Sequence, residues 1–362
     1  MPSLHPVRAA ALLVLIGAWP LAAQAPRALV RRVATTDRWN PDSLGNHRFV
    51  LHLDVGGDAV VAQVPWRRRD ANPEQVAAVL IDARTHQRVR NVARMEIDRE
   101  NGWFVFQPAS VPADYYLYYL PYEGTVKSNY PKITYRAVDD TPDRQWLQRN
   151  ALTQLNARWS GWKQLPQATV VAYEAIDAMS RFTDMEFIAS KGELAALQTR
   201  FNWAEFFVFA EDRSNSIRMT DDIPARWATA GAFKAFRGTA ARGEYYTFQL
   251  GVVATRKQLD SVSVSFSELA HRRAEAEIPA SAFASFNTEG VDWSGHPFTR
   301  TITVPKGKVQ PLWFGVQIPE TATPGDYQTD ALIGAAGVKA QRVRIVINVT
   351  DDTIAHHGDD DP

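Results

Sequence analysis

The chain has 362 residues, with 40 lysines and arginines balanced by 40 aspartates and glutamates, and it contains no cysteine. Because the charges balance, no long-range field attracts nucleic acid or an anionic membrane, and we expect neither as a partner. Without cysteine there is no disulfide framework and no lipid-anchored cysteine, so the hydrophobic core alone must hold the fold.

The N-terminus has the pattern of an export signal. A weakly basic start over residues 1–8 is followed by an apolar run over residues 9–18 and by Ala23-Gln24-Ala25. The apolar run is shorter than the about 20 residues that a membrane span needs. We expect residues 1–25 to be a signal peptide, cleaved after Ala23 or Ala25. The mature protein would then be periplasmic or extracellular, with no membrane segment.

Residues 37–138 are predicted to form a first β-sandwich module. Apolar residues alternate from Phe49 to Val55, a Gly56-Gly57 turn follows, and the module ends with the aromatic strand Tyr115 to Leu120. Further strand-like segments lie between these ends, at residues 59–64, 76–82, 89–97 and 103–106.

Residues 139–205 are predicted to be a helical or irregular connector that contains one strand. Thr141-Pro142-Asp143 supplies an N-cap, a proline and an early acid for one short helix. Ser190 and Glu193 have the spacing of a capping box for a second helix.

Residues 206–350 are predicted to form a second, larger β-sandwich module. Every second residue is apolar in five segments that turn signals separate: residues 246–254, 261–267, 312–318, 327–333 and 343–349. This spacing is typical of antiparallel sandwiches rather than of βαβ units. The expected fold class is therefore all-β dominated: two antiparallel β-sandwich modules joined by short helical connectors.

Residues 351–362 are predicted to be a polar tail or the start of an interdomain linker. His356-His357 and Asp359 to Asp361 are of metal-ligand types, but a flexible acidic tail is the interpretation that we favour. We predict no metal site and no cofactor.

A turn motif recurs three times: a turn residue, an acid and a tyrosine at the start of a strand. The tyrosines are Tyr115, Tyr245 and Tyr327. We expect each ring to pack inward and its hydroxyl to return to the backbone.

Several strings resemble, in their order and spacing, the N-terminal region of proteins similar to glycoside hydrolase family 123. They are Pro65 to Asp70, Glu211-Asp212-Arg213, Ile217 to Asp222, Gly243 to Leu250 and Asp292 to Phe298, in a resemblance that runs from about Asp37 to the C-terminus.

The resemblance implies β-sandwich modules that precede a (β/α)₈ barrel acting on β-N-acetylgalactosaminides. In that family the substrate's own acetamido group attacks, assisted by an adjacent Asp-Glu pair. This sequence contains no Asp-Glu dipeptide and no alternating strands and helices long enough for a barrel. The catalytic pair is therefore carried over to no position here, and we predict no catalytic residue.

Three neighbouring carboxylate pairs, Asp139-Asp140, Glu211-Asp212 and Asp221-Asp222, could in principle be acid pairs. Turns and solvated loops use such pairs constantly, and we favour that interpretation. Hydrolysis by this chain alone, with Asp212 or Asp292 in a cleft, is the least favoured hypothesis.

The arginines 67–69 beside Trp66 could bind an acidic sugar or phosphate. Because neighbouring strand residues face opposite sides, at least one should pair with Asp70 or with an aromatic face. We predict structural or interdomain roles for Trp66, Arg68, Asp70 and Arg213.

Sugar contact is predicted for loop tryptophans, because a pyranose ring stacks on an aromatic plane. The speculative carbohydrate-binding residues are Trp293 with Asp292, and Trp159 with Trp162.

Two functional hypotheses follow. The first is a non-catalytic N-terminal portion of an exported glycoside-hydrolase-like protein that supports or positions a downstream (β/α)₈ barrel. The alternative is a stand-alone exported carbohydrate-binding or assembly module.

Overall fold

The structure is a computed structural model that describes residues 39–125, 132–139, 142–153 and 160–354. The predicted signal peptide, Asp140, Thr141, Trp159, His356, His357 and Asp359 to Asp361 lie outside these residues. β-Strands dominate the described chain, which confirms the predicted fold class. None of the helices described is long and apolar enough to cross a bilayer.

The described part of the first module consists mainly of β-strands. They are β1 (His47–Leu53), β2 (Val60–Val64), β3 (Val79–Asp82), β4 (Val92–Ile97), β5 (Gly102–Phe106), β6 (Ala113–Tyr118), β7 (Tyr122–Thr125), β8 (Lys132–Tyr135) and β9 (Gln167–Ala175). Seven of them follow the order β3-β6-β1-β9-β2-β5-β4, and β7 pairs with β8. Side chains from both halves of this path, such as Phe49 and Phe104, meet in one core.

Strand β9 links the two halves of the first module. Its start pairs in parallel with β2, at Val61 and Ala62, and the rest pairs antiparallel with β1. Residues 167–175 were expected within the connector, yet they hydrogen-bond inside the first sheet. The parallel pairing also corrects the expectation of a purely antiparallel module.

The helices are short: α1 (Pro41–Leu44), α2 (Arg144–Arg149), α3 (Lys191–Arg200) and α4 (Ala225–Ala230). Asp143 caps α2 by accepting hydrogen bonds from the backbone N–H groups of Gln145 and Trp146. The capping box of Ser190 and Glu193 at the start of α3 is confirmed. Helix α2 covers the outside of the first module, where Trp146 is buried.

The described part of the second module contains thirteen strands. They are β10 (Phe207–Asp212), β11 (Phe236–Arg242), β12 (Tyr245–Val253), β13 (Leu259–Phe266), β14 (Leu269–His271), β15 (Glu277–Ile278), β16 (Phe283–Ser285), β17 (Glu289–Val291), β18 (Pro297–Thr299), β19 (Ile302–Val304), β20 (Val309–Gln317), β21 (Gly325–Gly334) and β22 (Gln341–Thr353). The five segments predicted from alternation correspond to β12, β13, β20, β21 and β22.

Two sheets face each other in this module. One has the order β10-β12-β20-β16, and the other has the order β11-β22-β21-β13-β19 with β14 and β15 at its side. Phe248, Leu312 and Ile345 belong to the core between them. Strand β22 pairs in parallel with β11, which again departs from the antiparallel expectation. Helices α3 and α4 pack on the outer face of the β10 sheet, through Leu197 and Trp227.

The recurring turn motif does begin three strands, β6, β12 and β21. Tyr115 is buried, and its hydroxyl donates to the carbonyl of Ser110 at 2.6 Å and accepts from the Ser110 N–H at 3.0 Å. Tyr327 is buried, but Tyr245 is 37% exposed, and the following Tyr246 fills the core instead. The expectation of an inward ring was therefore wrong for Tyr245.

Candidate functional site

The segment from Trp66 to Asp70 directs its three arginines to three different partners. Arg67 has the left-handed φ of +47°, which costs a residue with a Cβ about 1–2 kcal/mol. Its guanidinium makes two hydrogen bonds, 2.9 and 3.0 Å long, to the carboxylate of Glu193. Its backbone carbonyl accepts from the N–H of Ile188. These contacts hold the strained residue in place.

Glu193 serves two purposes at the start of α3. The carboxylate accepts the backbone N–H of Ser190 at 2.9 Å, as a capping box requires, and it binds Arg67 with both oxygens. Both side chains are largely buried, so little solvent screens the pair. The same carboxylate therefore caps its own helix and binds an arginine 126 positions earlier in the chain.

The Arg67–Glu193 pair belongs to a larger contact that we call the module joint. In it, residues 66–70 and 98–101 contact residues 186–193 and 222–225. Arg99 binds Asp222 at 2.5 Å, a hydrogen bond that raises the pKa of Arg99. The Lys191 N–H donates to the carboxylate of Glu100 at 2.8 Å. Backbone hydrogen bonds between residues 187–189 and 223–225 tie the segment before α3 to the second module. The two modules are therefore connected by directional polar contacts.

A cleft of about 910 Å³ lies beside the joint. Arg67 and Glu193 line it together with Glu211 of β10, Trp227 of α4 and Arg237 of β11. Concave regions with several polar groups are where ligands usually bind. The cleft was not predicted from the sequence, because its walls come from distant segments.

Glu211 and Asp212 both line this cleft, but their carboxylates have different hydrogen-bond partners. Glu211 is buried and accepts from Trp227 Nε1 at 2.8 Å and from Arg226 Nε at 3.0 Å. Asp212 accepts the hydroxyl of Tyr246 at 2.6 Å.

The protonation of Asp212 and Asp292 does not suit a general acid. Burial opposes the charged form of Asp212, but hydrogen bonds from Tyr246 and Ser214 outweigh it and lower the pKa. The His296 N–H and the hydroxyl of Ser294 lower the pKa of Asp292. A general acid needs a raised pKa to hold its proton near neutral pH.

A smaller pocket of about 260 Å³ lies on the other side of the Trp66 to Asp70 segment; we call it the arginine pocket. Its lining residues are Trp66, Arg67, Arg68, Arg69, Asp70, Tyr119, Leu120, Tyr135, Phe182 and Glu186. Buried Arg68 binds both carboxylate oxygens of Asp70, at 2.8 and 2.7 Å, and its guanidinium lies 4.6 Å from the ring centre of Trp66.

Trp293 lies at the tip of the hairpin between β17 and β18, and 98% of its surface is exposed. The Asp292 carboxylate folds this tip by accepting hydrogen bonds from the N–H groups of Ser294 and His296, each at 2.9 Å. Asp292 therefore acts within its own loop, while the Trp293 ring is free to meet a ligand.

The other predicted sugar-binding tryptophans do not join Trp293. Trp162 is only 4% exposed and packs edge-on against Trp103, with ring centres 5.3 Å apart. In this position the ring is part of the core, because α2 and the neighbouring loop cover it. Its expected partner Trp159 lies outside the described residues, so the pair gives no exposed platform here.

Trp66, Arg68 and Asp70 occupy buried or half-buried positions at the edge of the first core, and Trp66 Nε1 donates to the carbonyl of Asp98 at 2.8 Å. Arg213 does not reach the joint; it binds Glu244 at 2.6 Å within the second module.

Sequence reasoning missed Glu193 as the partner of Arg67, and it missed Tyr135, Phe182 and Glu186 as pocket residues. The capping-box spacing was the only signal for Glu193, and it gave the helix start but no distant partner.

Comparison with known proteins addresses the first module directly. Residues 37–176 match the family model of the glycoside hydrolase 123, N-terminal domain. The resemblance is confirmed for this segment. The matched segment contains β1 to β9 and every residue that lines the arginine pocket except Phe182 and Glu186. No curated protein matches the chain.

Solved structures show weaker likeness. A family 123 glycoside hydrolase from Clostridium perfringens, studied for glycolipid glycan hydrolysis, is 14% identical over 40% of this chain and 27% of that chain, with a TM-score of 0.31. A GH5 xyloglucanase from Bacteroides ovatus is 8% identical over 33% and 18%, with a TM-score of 0.20. The sporulation control protein Spo0M from Bacillus subtilis is 12% identical over 40% and 49%, with a TM-score of 0.23.

This chain therefore spans about a quarter of the C. perfringens enzyme and less than half of the other two proteins. At these TM-scores none of the three decides the fold or the activity. The relation to glycoside hydrolases rests on the match of residues 37–176.

Proposed function

We propose that the two modules are a non-catalytic support for a glycan-hydrolysing (β/α)₈ barrel, in an exported glycoside-hydrolase-like protein. The observation that carries this proposal is the match of residues 37–176 to a domain that is named for its N-terminal place in a glycoside hydrolase family. Such a domain works by fixing the position of its neighbours, which requires a firm contact between modules.

The module joint supplies that contact. The Arg67–Glu193 pair is bidentate and mostly shielded from solvent, and Arg99 with Asp222 adds a second ion pair. Bidentate arginine–carboxylate pairs fix orientation as well as distance. The second module would therefore keep a constant orientation to the first and could present a barrel in one place.

The hydrogen bonds of three carboxylates also favour a supporting role. The pKa values of Asp212 and Asp292 are lowered, and Glu211 accepts hydrogen bonds from Arg226 and Trp227. Hydrolysis with a general acid needs a carboxyl that stays protonated. These three acids instead act as fixed hydrogen-bond acceptors within the second module.

The proposal is tested by reading the coding sequence onward from the Pro362 codon and through the adjoining gene. We expect a (β/α)₈ barrel with an adjacent Asp-Glu pair. An adjoining region with an unrelated product and no trace of a barrel would contradict it. A fusion of the chain to that barrel should also melt at a higher temperature than the barrel alone.

A second candidate, a stand-alone exported carbohydrate-binding or assembly module, is favoured by Trp293. Its fully exposed ring on a folded hairpin tip could stack on a sugar ring. Trp293→Ala should then abolish glycan binding on an array and in calorimetry, without changing the melting temperature. Trp203→Ala, at another exposed tryptophan, is the matched control. No binding by the unmodified protein would exclude this candidate.

A further inference from the structure

Charged side chains line much of the arginine pocket, and most of them are already paired. Three arginines, Arg67 to Arg69, face two carboxylates, Asp70 and Glu186. Arg67 is satisfied by Glu193 and Arg68 is bound by Asp70, both through short bidentate contacts. The remaining cation is Arg69.

Arg69 lacks a close acidic partner. Its Nη1 lies 3.7 Å from Oε1 of Glu186, which is longer than a hydrogen bond, and the same oxygen lies 3.6 Å from Nη1 of Arg218. The other Glu186 oxygen accepts the N–H and hydroxyl of Thr183. Glu186 is thus shared among several donors, and the half-exposed Arg69 can bind a further anion.

Arg68 also keeps a donor for a ligand. Asp70 engages its Nε and Nη2, and within the described chain Nη1 has no hydrogen-bond acceptor. The guanidinium is almost completely buried between Asp70, Trp66 and Tyr119, so its orientation is fixed. A fixed guanidinium loses little entropy when it binds a planar anion.

The uncharged walls suit a sugar ring. Trp66, Tyr119, Tyr135 and Phe182 surround the space. At roughly 30 Å³ per water molecule, 260 Å³ is the space of about eight or nine waters, enough for a single pyranose.

We propose that the arginine pocket binds one pyranose that carries a carboxylate, a hexuronic acid residue. Arg69 and Arg68 Nη1 bind the carboxylate, the aromatic walls contact the C–H faces of the ring, and Asp70 and Glu186 accept its hydroxyls. This binding site is independent of any catalytic domain, because residues of this chain alone form it.

The test is isothermal titration of the full chain with D-glucuronate, D-glucose and inorganic phosphate, each alone. A single ring of this size should bind with a dissociation constant on the order of 1 mM. We expect glucose and phosphate to bind at least about tenfold more weakly than glucuronate. Arg69→Gln should weaken glucuronate binding about tenfold. Arg342→Gln removes an exposed arginine that does not line the pocket and should leave binding unchanged.

Each alternative result would overturn the proposal in a different way. Equal binding of glucose and glucuronate would remove the role of the arginines, and equal binding of phosphate would reduce the pocket to a general anion site. Unchanged binding by Arg69→Gln would place glucuronate elsewhere. No heat from glucuronate at tens of millimolar, with a normal melting curve, would exclude the site. Because Arg69 is exposed, its variant should melt like the parent protein.

Discussion

Arg67 and Glu193 form a bidentate ion pair, with nitrogen–oxygen distances of 2.9 and 3.0 Å. The pair joins the segment that follows β2 to the first turn of α3. The strained backbone of Arg67 and the helix cap of Glu193 meet in this one contact. It links the first module to α3, the helix that packs on the β10 sheet of the second module.

Arg67→Gln should destabilise the protein by about 1–3 kcal/mol, because it leaves the shielded Glu193 carboxylate with only its capping contacts. Urea unfolding followed by tryptophan fluorescence would measure the change. Lys308→Gln removes the exposed pair with Asp221 and should cost less than about 0.5 kcal/mol. Equal effects of the two variants would show that the joint adds no more than a surface contact.

Tyr115→Phe should cost about 1–2 kcal/mol, because the buried ring loses a hydroxyl that both donates to and accepts from the backbone of Ser110. Tyr245→Phe alters the same turn motif at an exposed ring and should leave the unfolding midpoint unchanged. Thermal denaturation of both variants measures the difference. A similar loss in both would mean that the hydroxyl of Tyr115 is not the stabilising group.

The strands of both modules were predictable because alternation of apolar and polar residues reports directly on a half-buried strand. The start of α3 was also predictable, since Ser190 and Glu193 lie within four residues of each other. The pairing of strands that lie far apart in the sequence was not predictable. Alternation shows which face of β9 is buried but not which strand lies beside it, so its parallel contact with Val61 was missed.

The errors at single residues have the same origin. Tyr245 and Tyr246 are both aromatic, and local pattern alone did not decide which ring enters the core. Trp162 follows a glycine in a loop, as an exposed ligand contact would, but Trp103 and α2 cover it. The arginine pocket combines residues from 66 to 186, and only its Trp66 to Asp70 segment was visible as a motif.

Stability should fall as the pH drops from 6.5 to about 4. Burial lowers the pKa of His47 to about 4, although the hydrogen bond from its ring to the Ser180 carbonyl opposes this shift. Over this range the unfolded state binds a proton that the folded state does not, so acid favours unfolding, by about 3 kcal/mol in all. His47→Phe should flatten this part of the profile, measured by urea unfolding at several pH values.

His52 is a control for His47, because its pKa is shifted in the opposite direction. Hydrogen bonds from its ring to Asp114 and Asp54 raise its pKa, so it stabilises the folded state at acidic pH and this effect is lost as pH rises. His52→Gln should therefore leave the acid loss as steep or steeper. A profile that His47→Phe leaves unaltered would contradict the assignment to His47.

Two glycine substitutions should have opposite effects. A Cβ on Gly251 of β12 would lie 2.3 Å from the ring of Trp227, which is stacked on Phe209, so Gly251→Ala should cost more than about 2 kcal/mol. Gly192 lies in the first turn of α3 with open space around it, and Gly192→Ala should stabilise by about 0.4–1 kcal/mol. Calorimetric melting would show the two shifts; a stable Gly251→Ala protein would contradict the packing of α4 on the β10 sheet.

The most direct test of the central claim, that this chain supports hydrolysis but does not perform it, is turnover of an aryl β-N-acetylgalactosaminide by the purified chain across pH 4–8. The hydrogen bonds that Asp212 and Asp292 accept lower their pKa values, which disfavours either carboxyl as a general acid. The account predicts no product above a heat-denatured control. Turnover that disappears in Asp212→Asn or Asp292→Asn, with the fold intact, would contradict it.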